Sequence, residues 1–267
     1  MKNIFNEVIS KLKSEKDGYC RITHKKGWLG FLKDEDLVLK PHELHQILRQ
    51  VINESPPNGD KLFFLRKRCN FTVTIEKKAY RPEEALERFI VASNAASFYD
   101  QIPIGGGKES IDIGIKVNHE KFIFIELKPW RSTNTPLYAI VESLKNLMEY
   151  RFILENENEN IPMFKEVDLV VLAPQSYWDF YQLNESGGLQ KMRRALNDLS
   201  VQFNTNISLM ALPIEEKRFF DKCRKICEER NIDKQESIRI SDADAIPELA
   251  REQWKLLVAS DKVSARN

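Results

Sequence analysis

The segment IDIGIKVNHEKFIFIELKPW (111–130) constrains this chain more than any other, because its alternation fits one hairpin register and excludes the next. A three-residue loop at 118–120 sets Ile111 against Leu127, Ile113 against Ile125 and Ile115 against Ile123, three apolar pairs on one face. A two-residue loop sets Ile111 against Glu126 and mixes the faces, since a slip of one residue reverses every side chain. The favoured register places Asp112 across from Glu126, with Cβ atoms ~4.5–5.5 Å apart. Like charges that close destabilise a sheet. Lys128, on the Glu126 face of the same strand, offsets part of that repulsion, and a divalent cation offsets more.

The flanking sequence reads as an α/β layout. Helical spacing predicts a helix over 4–12, a second over about 41–53 that opens on Pro41, and a third in RPEEALERFIVASN, where proline and acids mark the start. Between the first two lies a short mixed stretch with aromatic character (Tyr19, Trp28, Phe31), and SPPNGD (55–60) is a turn. KLFFLRKRCNFTVTIEKKAY suggests a pair of strands, with Phe71, Val73 and Ile75 alternating. SFYDQIPI is a strand, GGGKES a turn, and ENENEN (155–160) a loop. A long helix follows over about 136–154, capped by Thr135. The apolar run VDLVVLAP (167–174) reads as a strand buried on both faces. A helix near 188–203 and a strand at 206–214 add a βαβ unit, and helices are expected over about 215–230 and 246–258.

Composition removes several classes. No run approaches the ~20 apolar residues of a membrane span. The N-terminus lacks the apolar block of a signal peptide, so a cytoplasmic protein is expected. Four cysteines in 267 residues, none in a CxxC pair, argue against both a disulfide scaffold and a zinc site. GGGK (105–108) fails the phosphate-loop pattern because the first glycine is absent and Glu109 follows the lysine. Neither GxSxG nor HExxH occurs. The net charge is +1, yet residues 1–82 carry 17 basic against 10 acidic side chains and the remainder 24 against 30. A basic first third is the kind of field that collects a polyanion.

These residues resemble the PD-(D/E)XK nuclease superfamily. Asp112 falls at the family's first strand acid, and Glu126-Leu127-Lys128 matches its ExK triplet. The resemblance implies a restriction-endonuclease-like core over 81–214, a central mixed sheet flanked by helices. Residues 1–80 then form an N-terminal α+β extension and residues 215–267 a helical C-terminal one. It implies a further acid on the preceding helix, Glu87 with Glu84 as competitor. It also implies Mg²⁺ (or Mn²⁺) held by Asp112, Glu126, Glu87 and the Leu127 carbonyl, with Lys128 serving the attacking water. One branch carries Gln-Leu-x-x-Tyr on the next helix, where this chain has Asn146-Leu147-Met148-Glu149-Tyr150. Trp130, Arg131, Asn146 and Tyr150 are accordingly candidate contacts to nucleic acid. The expected activity is a metal-dependent endonuclease acting on DNA, with RNA as the alternative substrate. A second copy of the chain is a further candidate partner. A catalytically inactive nucleic-acid-binding or assembly module of the same fold is the competing reading.

Overall fold

A computed structural model of the chain describes residue 11, residues 24–36, 38–57, 65, 71–73, 82–104, 110–156, 162–185, 187–229, 238–240 and 246–261. The fold is α/β, a six-stranded mixed sheet flanked by helices.

The first two described helices are α1 (Lys25–Lys33) and α2 (Pro41–Glu54). Where the sequence suggested only a mixed aromatic stretch, α1 is a capped helix. His24 Nδ1 accepts a hydrogen bond from Gly27 N at 3.0 Å, and Trp28, Phe31 and Leu32 bury one face at helical spacing. β1 (Phe71–Val73) pairs with β7 (Ile238–Ile240) in a separate two-stranded antiparallel sheet. The rest of the expected strand pair apart from Leu65, the helix over 4–12 apart from residue 11, and the GGGKES turn apart from Ser110 lie outside the described residues.

α3 (Pro82–Ser93) leads into the sheet through β2 (Phe98–Pro103), β3 (Ser110–Lys116) and β4 (Lys121–Leu127). α4 (Pro136–Asn156) follows, then β5 (Glu166–Pro174), α5 (Gln175–Phe180), α6 (Gly188–Phe203) and β6 (Ile207–Leu212). α7 (Glu216–Glu229) and β8 (Lys255–Ala259) complete the elements. The sheet order is β2-β3-β4-β5-β6-β8, parallel only at β4–β5 and β5–β6.

The helix expected over 246–258 is overturned. Two 3₁₀ turns (Pro247–Leu249 and Arg251–Gln253) precede β8, which runs antiparallel to β6. Ile246, Leu249, Trp254 and Val258 keep helical spacing, but the outer edge of β6 carries unpaired backbone groups, and satisfying them outweighs local periodicity.

Alternate residues of the central strands feed two cores. One packs α1, α2, α4 and α6 onto the face bearing Phe122, Phe124, Leu169 and Val171. The other packs α3 and α7 onto the face bearing Ile113, Ile115, Ile123 and Ile125. The helices of the basic first third thus share a core with the sheet. Among the described residues no helix is long and apolar enough to cross a membrane.

The predicted hairpin register holds over Ile113↔Ile125, Gly114↔Phe124, Ile115↔Ile123 and Lys116↔Phe122. It changes at the end that matters. Ile111 leaves the Ile113/Ile115 cluster and packs with Ile102 and Ile104 in the opposite core. Leu127 N donates to Asp112 Oδ2 at 2.8 Å, so a side chain takes the place of a ladder carbonyl. On the other flank of β3, the β2 ladder skips Gln101, whose φ of 42° lies in the left-handed region. β3 is locally released on both sides at Asp112.

Candidate metal centre

Glu126 is the penultimate residue of β4 and Lys128 the first beyond it, both buried at the carboxyl end of a strand bordered by a parallel neighbour, where open α/β sheets place ligand sites. The β4–β5 pairing continues past the strand, since Lys128 N donates to Leu172 O at 2.9 Å. Asp112 enters from β3. Glu83, in the first turn of α3, completes a group with Asp112 and Glu126 whose nearest carboxylate oxygens all lie within 4.8 Å of one another. A fourth acid, Glu142, comes from the second turn of α4.

These acids gather round a single ammonium. Lys128 is 4% exposed, and its Nζ bonds Glu126 Oε1, lies 3.2 Å from Glu142 Oε2 and 3.7 Å from Glu83 Oε1. Burial works against its charge, but Glu126, Glu142, Asp112 and Glu83 outweigh it and hold the amine well above its ordinary pKa. The carboxyls divide. Burial raises Asp112 to about 7 against the pull of Lys128. Burial, then the charges of Asp112 and Glu142, raise Glu126 far above the usual carboxylate range. Glu83 is also raised by burial, with Lys128 opposing. Glu142 alone is lowered: burial pushes it up, but Lys128 and a hydrogen bond with Glu126 pull it further down.

Burial first, and then crowding of four carboxyls around Lys128, accounts for Asp112, Glu126 and Glu83 holding protons above the usual carboxylate range. A divalent cation would relieve the same deficit without the protons. The donor set suits one, because carboxylate oxygens favour hard cations such as Mg²⁺, Ca²⁺ or Mn²⁺. On these grounds Glu83, Asp112 and Glu126 fit a metal ion, although acids alone do not select which.

The structure distributes the residues singled out in the sequence unevenly. Asp112, Glu126 and Lys128 come together. Glu84 turns away and pairs with Arg88 one turn along α3. Glu87 is buried at 2% exposure beside Asp100 and Gln101, with Gln101 Nε2 donating to its Oε2 at 3.4 Å while Oε1 has no hydrogen-bond partner. Its pKa is raised well above normal by burial first, then by Asp100 and Asp112. Glu87 thus stands behind Asp112, and Glu83, one turn earlier on the same helix face, takes the place expected of it. That i, i+4 relationship is the signal that would have found Glu83. No local signal in the sequence marks Glu142.

The candidate nucleic-acid contacts sit elsewhere. Trp130 Nε1 donates to Ile214 O at 2.9 Å, and its ring packs on Phe219. Tyr150 Oη donates to Pro162 O at 2.7 Å and accepts from Phe164 N at 2.9 Å. Asn146 is buried on α4. Arg131 is exposed and pairs with Glu216 at 2.8 Å. Two tyrosines do border the acids. Tyr138, one turn before Glu142, is pushed up to about 12 by burial and then by Glu142. Tyr177 Oη donates to Asn134 O at 2.8 Å, and burial raises its pKa well above normal. No family model, curated protein or solved structure matches the chain.

Proposed function

We propose that this protein is a metal-dependent phosphodiester hydrolase of restriction-endonuclease-like type, an endonuclease with DNA as its substrate. One observation carries the reading: a buried lysine ammonium set among Glu83, Glu126 and Glu142 beside Asp112, where a hairpin opens at the carboxyl end of β4.

Glu83, Asp112 and Glu126 would hold the cation, Mg²⁺ or Mn²⁺, which when bound supplies Lewis acidity toward a phosphodiester and acidifies water. Lys128 keeps its proton at neutral pH, so it acts as a donor that orients the attacking water and stabilises negative charge building on phosphorus oxygens. Glu142 holds Lys128 from the α4 side, so the ammonium keeps its place when Glu126 turns to a ligand. The buried aromatic wall of Tyr177 limits water around these groups.

The test is a cleavage panel of supercoiled plasmid, linear duplex, single-stranded DNA and RNA, with Mg²⁺ and Mn²⁺. Cutting of plasmid by the wild type, lost in Asp112→Ala, Glu126→Ala and Lys128→Ala, is the expected result. Full activity in folded Asp112→Ala would overturn the assignment. Salt-sensitive binding with no cleavage of any substrate would point instead to a binding module that keeps the fold.

A further inference from the structure

The cleft between α2 and α4 has the opposite character to the acid cluster. It encloses about 450 Å³, within the range of small-ligand pockets. Met148 and Phe152 supply an apolar bed, while His45, Arg49 and Arg151 line it with donors. Arg151 is fixed, since its guanidinium donates to the carbonyls of Phe203 and Asn204 at the end of α6. Arg49 is exposed and makes no hydrogen bond or ion pair among the described residues. Among the described lining residues one carboxylate, Glu155, accompanies two guanidiniums and an imidazole. The excess positive field registers on His45, whose pKa is lowered by burial first and then by Arg49, Arg151 and His42. A cleft that keeps repelling cations together around an apolar floor is complementary to an anion carrying an organic group.

We propose that this cleft binds a phosphate-bearing ligand of nucleotide size, with Arg49 and His45 donating to the phosphate and Met148 and Phe152 packing against the organic part. Arginine suits that role because its planar fork matches phosphate oxygens. A free nucleotide and one unit of a nucleic-acid strand share this chemistry. The cleft and the acid cluster are built on the same helix, since α4 carries Glu142 near its start and Met148, Arg151 and Phe152 farther on. The rise along the helix from Glu142 to Phe152 is ~15 Å. The binding claim is nevertheless independent of hydrolysis, because none of the cleft residues belongs to the acid cluster.

The experiment is an NMR titration of the full chain, following the His45 imidazole without divalent ions, against a nucleoside monophosphate and a short single-stranded oligodeoxynucleotide. Saturable binding should raise the His45 pKa by about one unit, the effect expected of an adjacent opposite charge. Arg49→Glu should weaken binding by about tenfold or more, while Arg49→Lys retains part of it. Binding of the monophosphate identifies a free nucleotide as sufficient, and binding of the oligonucleotide alone identifies a strand. Absence of saturable binding by either, or wild-type affinity in folded Arg49→Glu, overturns the proposal. The titration reads binding without divalent ions or cleavage, so a failed nuclease assay leaves this result standing.

Discussion

Lys128 Nζ lies 3.2 Å from Glu142 Oε2, a link between the end of β4 and the second turn of α4. It gives the ammonium a partner that is not among the three acids grouped for a metal. Replacing Lys128 by Met removes the one cation these carboxyls share, and breaking a buried pair that way costs about 3–5 kcal/mol. Urea unfolding of the metal-free protein should show that loss, and millimolar Mn²⁺ should restore part of it. A Lys128→Met protein as stable as the wild type in the absence of metal would contradict the charge arrangement.

Glu83, and not Glu84, should govern metal affinity. Glu83→Gln removes a ligand and should weaken Mn²⁺ binding at least as much as the roughly 10- to 100-fold cost of losing an outer partner. Glu84→Gln breaks only a surface-side pair with Arg88 and should leave affinity within about twofold. Calorimetric titration of both variants decides between them, and equal losses would mean that α3 is rotated from its described position.

Stability without metal should fall as the solution is made more alkaline. Asp112 has a folded pKa of about 7 against an ordinary aspartate value of 3.8, so between those values the folded state binds a proton that the unfolded chain has released. The contribution is whole below about 3.8 and is lost as pH rises through about 7. Melting at pH 5 and pH 8 in chelator should give a lower Tm at pH 8, by roughly 2–4 °C for each kcal/mol. Asp112→Asn should flatten that difference, and an unchanged slope in the variant would assign it to other groups.

Gly114 should tolerate no side chain. A Cβ there would lie 2.2 Å from Ile102 Cδ1 and 2.6 Å from Phe122 Cε1, in the middle of the three antiparallel strands. Gly114→Ala should destabilise by about 1–3 kcal/mol in denaturant melts, the usual cost of overpacking. A neutral effect would require Phe122 to repack.

Tyr150 should matter to stability alone. Tyr150→Phe leaves Phe164 N buried without its acceptor and should cost about 1–3 kcal/mol. Mn²⁺ affinity, measured in parallel, should not change. A change would bring Tyr150 back toward the metal centre.

What the sequence disclosed was set by how local each determinant is. The β3–β4 register was legible because alternation over seven residues permits one alignment, and the VDLVVLAP strand because a run apolar on both faces has few other homes. Asp112, Glu126 and Lys128 followed from that register. β8 was misread because its role depends on the free edge of β6, some fifty residues away in sequence. Glu83 was not weighed beside Glu87 and Glu84, and only the placement of α3 brings it to Asp112 and Glu126. Glu142 stayed hidden because the orientation of α4 is a tertiary fact. Trp130 and Tyr150 were candidate nucleic-acid contacts through the resemblance alone, and their polar atoms bond backbone groups inside the protein.

β8 closes the sheet at the far side from β2, and the described charged groups of the candidate metal centre come from residues 83–142. During synthesis the centre's residues leave the ribosome well before residues 255–259 arrive, so β6 presents an open hydrogen-bonding edge to other nascent chains for that interval. Self-association on translation is therefore a hazard located at β6, at the opposite border of the sheet from β2.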